Sequence, residues 1–166
     1  VGAVSGADEI FANAELGNAD FVCSQTAQPG ARRRMIWLDR AGPSAYLEPF
    51  KERLLARRVT RFDENNWWKW GRRHHVSDAP RIYVNQKTRR PRPFFLNDCR
   101  NYDGAILALF PHRRDAGLEG LRDLLNDVDW AELGFVCDGR FLFAQRSLAQ
   151  ALLPEDFAPF ATRALV

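Results

Sequence analysis

Leu118-Glu119-Gly120-Leu121-Arg122-Asp123-Leu124-Leu125 is soon followed by Gly134-Phe135-Val136-Cys137-Asp138-Gly139-Arg140-Phe141-Leu142-Phe143. Leucines at 118, 121, 124 and 125 recur at the spacing of one helix face. Asp138-Gly139, between the apolar stretches 134–136 and 141–143, is a pair typical of a tight hairpin turn. Further outward, Ala105 to Phe110 reads as a buried strand ended by Pro111, and Arg81 to Asn85 as a short strand. Gln86 to Pro93 is charged, contains prolines and reads as an exposed loop. A last helix is expected from Gln145 or Arg146 to Leu153, stopping at Pro154. Helices and strands are mixed without regular alternation, which favours an α+β fold over a parallel α/β sheet.

The N-terminal half is read in the same way. Val1 to Phe11 gives a strand, a turn at Ser5-Gly6-Ala7-Asp8 and a second strand or helix start. Met35 to Leu38 is a strand after the Gln28-Pro29-Gly30 turn. Pro43-Ser44 then opens a helix reaching about Ala56, with Ser44 as N-cap and Leu47, Phe50, Leu54 and Leu55 on its apolar face. At 166 residues and 46% hydrophobic, the chain can bury one ordinary core, so residues 1–166 are expected to form one domain. The apolar runs are too short to cross a bilayer, and no leader pattern precedes them. Cytoplasmic residence is the expectation, with no membrane partner. Cys23, Cys99 and Cys137 are too sparse for a disulfide framework and lack metal-ligand spacing, so reduced, mostly buried thiols are expected. The start at Val1 suggests a fragment beginning at a domain boundary.

Charge is segregated along the chain. Between Arg32 and Arg114 stand 20 of the 24 Lys and Arg but only 8 of the 21 Asp and Glu, a net +12 set between flanks that together carry −9. Seventeen of those 20 are Arg, whose forked donors suit phosphate and guanine. Such segregation points to a polyanionic partner and to binding that weakens with salt. Solvated surface charge, balanced by acidic neighbours in the fold, is the competing account.

Three segments concentrate the cations. Asn66-Trp67-Trp68-Lys69-Trp70-Gly71-Arg72-Arg73-His74-His75 sets three tryptophans among basic residues, where rings could stack on bases while cations hold the backbone. One or two of the rings are expected in the core instead, with Arg covering their edges. Lys87-Thr88-Arg89-Arg90-Pro91-Arg92 offers four cations on one proline-restricted loop. In Arg32-Arg33-Arg34, a strand would put Arg32 and Arg34 on one face. The candidates for contact with such a polyanion are therefore Arg32, Arg34, Trp67, Lys69, Trp70, Arg72, Arg73, His74, Lys87, Arg89, Arg90 and Arg92.

Catalytic patterns are missing. There is no glycine-rich phosphate loop, no Gly-x-Ser-x-Gly elbow, and no acidic residue two positions before Lys51, Lys69 or Lys87 as metal-dependent nucleases often place. His74-His75 are adjacent and point apart on any regular element, which speaks against a shared metal. Asp63-Glu64 reads as turn or surface. No catalytic, cofactor or metal residue is assigned.

Several pieces, taken in order, resemble the target recognition domain of gamma-class, adenine-specific DNA methyltransferases of restriction–modification systems. They are Val1 to Phe11, Tyr46-Leu47-Glu48-Pro49-Phe50 with Arg57-Arg58, and Trp68-Lys69-Trp70-Gly71-Arg72 with Pro80 to Val84. Leu121 to Asn126, Gly139-Arg140, and Gln145 with Leu148 and Leu152-Leu153-Pro154 complete the series. The family's Asn-Pro-Pro-Tyr/Phe motif and its glycine-rich cofactor strand have no counterpart here. The resemblance thus implies double-stranded DNA as partner, no catalysis by this fragment, and no cofactor in it. It also implies a catalytic methyltransferase domain in the same parent chain, which would hold S-adenosylmethionine. An RNA-binding or single-strand-binding accessory domain is the alternative; an enzyme with an unfamiliar site and a protein-binding module are the remaining rivals.

Overall fold

The computed structural model describes residues 18–23, 33–36, 42–43, 45–58, 61–69, 77–102, 104–113 and 117–160. The expected opening strand within Val1 to Phe11 and the N-cap Ser44 lie outside these residues. The chain divides into two compact units, bounded as Val1–Phe21 with Arg34–Val76 and as Val22–Arg33 with Ser77–Val166. Helices and antiparallel sheets occur together, so the fold is α+β as expected.

Strands β1 (Asn18–Phe21) and β2 (Arg33–Ile36) pair in a two-stranded sheet. The helix expected to run to about Ala56 is divided. Ala45–Phe50 is a 3-10 helix and only Lys51–Leu55 is α-helical (α1). Pro49 is the cause: it supplies no N–H and biases Glu48 away from α geometry. Leu47 and Leu54 are nonetheless buried, as their spacing implied.

In the second unit, β3 (Ile82–Asn85) is the middle strand between β5 (Phe94–Phe95) and β6 (Ile106–Leu109), antiparallel to both. Tyr83 is opposite Phe95 and Ala108, and Val84 opposite Phe94 and Leu107. All four β3 residues are buried because both sheet faces are covered. Ile82 and Val84 join Phe94, Leu121, Leu125, Trp130, Phe135, Phe143 and Phe157 in the larger cluster. Tyr83, on the other face, packs with Val22, Phe95, Cys99 and Ile106.

Helix α2 (Leu118–Asp127) turns Leu121 and Leu125 into the larger cluster, as the leucine spacing implied. Its Asn126 amide acts like an added strand: Phe94 N–H donates to Asn126 Oδ1 at 2.9 Å and Asn126 Nδ2 donates to Phe94 O at 3.0 Å. The edge of β5 thereby has its backbone groups satisfied, which a buried strand requires.

The second sheet of this unit has the order β4-β8-β7, from β4 (Lys87–Thr88), β8 (Arg140–Leu142) and β7 (Val136–Cys137). The Asp138-Gly139 turn is as expected, with φ of 50° and 64°, the left-handed pair that two-residue hairpins need. The expected loop Gln86 to Pro93 needs correction, because Lys87 and Thr88 form a strand on β8, a partner more than fifty residues away. Gln86 is the corner between the two sheets. Its N–H donates to Ala105 O at 3.0 Å, and its carbonyl accepts from Phe143 N–H at 2.8 Å.

The last helix, α3 (Gln145–Ala149), is shorter than expected. Gln150 and Ala151 donate to Ser147 O and Leu148 O, three residues back, a tightening that closes the helix before Pro154 is reached. A 3-10 helix at Glu155–Phe160 follows and buries Phe157. Among the described residues no helix is long and apolar enough to cross a membrane. None of the three cysteines is in a disulfide; Cys23 and Cys99 are buried and Cys137 is exposed.

Tyr83 yields a test of this core. Its hydroxyl donates to Cys99 O at 2.7 Å, and burial pushes its pKa up to about 12. A folded-state value above the ordinary 10 gives stability that is complete below pH 10 and lost as pH rises towards 12. Tyr83→Phe is expected to cost about 1–2 kcal/mol at neutral pH, through the unpaired Cys99 carbonyl. Urea denaturation of both proteins across this alkaline range should show a shallower loss of stability in the variant.

Candidate nucleic-acid interface

The tryptophan segment is built on a turn. Asp63 O accepts from the N–H groups of Asn66 (3.2 Å) and Trp67 (3.0 Å), while Asp63 Oδ1 accepts from Asn65 N–H at 2.8 Å. Glu64 is on the surface, 2.5 Å from Lys51 Nζ. Asp63 and Glu64 are thus turn and surface residues, as expected. Trp67 and Trp68 are 2% and 8% exposed and meet edge to face at 5.8 Å, so neither ring face is open to a base.

Arg57 holds the end of this turn. Its guanidinium donates to Leu54 O (2.8 Å), Trp67 O (2.6 Å) and Lys69 O (3.0 Å), and lies 3.8 Å from the Phe62 ring centroid. Partial burial pushes its pKa below the ordinary arginine value. Lys69 remains exposed. Arg34 stands in β2, whereas Arg32, Trp70, Arg72, Arg73 and His74 lie outside the described residues.

The proline-restricted segment of the second unit has two parts with different roles. Lys87, Arg89, Arg90 and Arg92 are all exposed. Arg92, however, spans two carboxylates one helical turn apart, Asp123 at 3.0 Å and Asp127 at 3.1 Å. Hydrogen bonds from Arg122 and then Arg92 hold the Asp123 carboxyl below its ordinary pKa. Arg92 thus ties the loop to α2 through two exposed ion pairs.

Lys87 and Arg89 belong to a different surface. In the β4-β8-β7 sheet, Lys87 is opposite Leu142, Thr88 opposite Phe141, and Cys137 opposite Arg140. Alternation along the strands puts Lys87, Leu142, Arg140 and Cys137 on one side, and all four are exposed. Phe141 turns to the other side and stacks on Phe143 at 5.8 Å and 11°. Arg89 is also exposed and follows directly on the end of β4. Among the described residues no carboxylate pairs with Lys87, Arg89 or Arg140. Neighbouring like charges repel across strands unless an anion lies between them.

Arg140 was absent from the sequence-derived candidates. Its hairpin was legible, but its place on the same sheet face as Lys87 depends on a long-range ladder. Other cations of the basic stretch are internal. Arg81 is 5% exposed, donates to the carbonyls of Ser77, Ala79 and Arg100, and covers the Phe110 ring at 4.9 Å. Arg100 in turn pairs with Asp78. A shallow groove of about 550 Å³ beside them mixes both signs of charge, with Asp78, Asp98, Arg81 and Arg100 in its wall. Among the described residues no three His, Cys, Asp or Glu cluster as metal ligands would.

The division between structural and exposed arginines can be measured. Arg57→Ala is expected to destabilise the protein by about 2 kcal/mol, as charge-assisted hydrogen bonds to three carbonyls are lost. Arg57→Lys should restore little, since an ammonium cannot reproduce the planar fork. Urea titration followed by tryptophan emission checks both; a stability equal to the parent protein's would contradict the clamp.

No protein-family model matches this chain, and neither does any curated protein.

Proposed function

We propose that this chain binds double-stranded DNA, as the target recognition part of an adenine-specific DNA methyltransferase. The observation that carries the reading is the cationic sheet face, where Lys87, Arg89 and Arg140 are exposed with no carboxylate paired to them among the described residues. Phosphates are the anions such a face fits, and Arg can also address guanine. The ordered sequence resemblance supports the methyltransferase assignment. Base methylation and S-adenosylmethionine belong, on this reading, to a catalytic domain of the same parent chain.

Burial of Trp67 and Trp68 favours a duplex over a single strand, because a stacking platform needs open ring faces. Lys69 and Arg90 are further exposed cations that fit phosphate contacts. Arg92 does not belong in that group, since its two carboxylates already neutralise it.

Salt dependence tests the reading. Each phosphate contact lowers the slope of log affinity against log salt by about 0.9. Replacing Lys87 and Arg89 together by Ala should make the slope shallower by about 2. Arg92→Ala should leave the slope nearly unchanged. Fluorescence anisotropy with a labelled duplex is the measurement, and affinity that barely responds to salt in the parent protein would refute duplex binding by this face.

A further inference from the structure

We propose that the β7–β8 hairpin is the element that enters the DNA major groove, with Arg140 as its base-contacting residue. This rests on the duplex-binding reading above and adds to it which element reads sequence. Every residue from Val136 to Arg140 is exposed, so the hairpin tip stands clear of the core. The β4 ladder stops opposite Phe141, so from the Cys137–Arg140 pair to the turn only β7 and β8 remain; a two-stranded ribbon is one of the two elements that a groove about 12 Å wide admits.

The root of the hairpin is held by aromatic packing. Trp130 lies 5.1 Å from Phe135 and 5.3 Å from Phe143, and Phe143 lies 5.2 Å from Phe94. Leu142 N–H donates to Phe135 O at 2.8 Å above this cluster. The tip conformation is set by left-handed Asp138 and Gly139, so a side chain at 140 is presented from a defined backbone.

The charges at the tip separate groove entry from lying along the backbone. Asp138 is exposed at the turn beside Arg140. A carboxylate is repelled by phosphates, but at the groove floor it can accept from the cytosine amino group while Arg addresses the paired guanine. Lys87 on β4, which flanks β8, and Arg89 just after it are exposed cations suited to the phosphates of the groove wall.

Cys137 allows the tip to be watched in the unaltered protein, because Cys23 and Cys99 are buried and serve as slow internal references. With a saturating pool of randomised duplex, alkylation of Cys137 is expected to slow by about tenfold, as in a site closed to solvent. In selection from that pool, Arg140→Ala should lose the parent's preference at one base pair by about tenfold. Arg140→Lys should lose the same preference while keeping the salt slope, since it retains charge without the fork. Arg89→Ala should weaken all sequences alike.

The outcomes are separable. Salt-sensitive duplex binding with unchanged Cys137 alkylation, and the same selected bases for Arg140→Ala, would overturn hairpin entry and leave duplex binding standing. Cys137 protection by single strands in preference to duplex would also overturn it. Absence of any salt-sensitive duplex binding would remove both readings together.

Discussion

The backbone of Gln86 must satisfy two sheets at once, and the geometry of the second unit depends on it. Its N–H extends the β3–β6 ladder to Ala105, and its carbonyl accepts from the N–H of Phe143, the residue after β8. Its side-chain amide adds a third tie, donating to Gly104 O at 2.9 Å. Buried backbone groups leave no slack in such an arrangement. One continuous chain thus passes from the apolar β3, through a single corner, into the cationic β4. Core and basic surface are consecutive pieces of one extended segment, which transfers the rigidity of the first to the second.

That coupling explains why the aromatic cluster and the charged face sit back to back. Phe143, directly after β8, lies inside the cluster of Trp130, Phe135 and Phe94, and Arg140 stands three residues before it in the solvent. The Arg92 clamp and the Asn126 amide fasten the same region to α2 from the opposite direction. A flexible basic loop would pay conformational entropy on meeting a ligand; one pinned at both ends has met that cost during folding.

Local chemistry was legible in the sequence where it is locally determined. Asp138-Gly139 fixes a turn by its own backbone preference, the leucines of 118–125 share a face because helix period alone arranges them, and Ile82 to Val84 has no polar side to expose. Non-local choices were hidden. Lys87-Thr88 has an unremarkable loop composition and becomes a strand only because β8 offers a partner. For the same reason Arg140 could not be grouped with Lys87, nor could the contacts of Arg57, Arg81 and Arg92 be foreseen from the sequence. Each of these three is occupied by carbonyls, a ring or carboxylates brought from elsewhere in the chain. Pro49 was visible, yet the leucine spacing around it outweighed the proline, and the helix is split there.

The brevity of the outer strands has its own consequence. β4 and β7, at the two edges of their sheet, are two residues long. A ladder that short is a poor template for a strand from a second copy, and Lys87 at one edge, with Arg140 on the face between, repels an approaching identical surface. The features that concentrate positive charge on this face therefore also oppose stacking of copies edge to edge, which favours colloidal stability at high concentration.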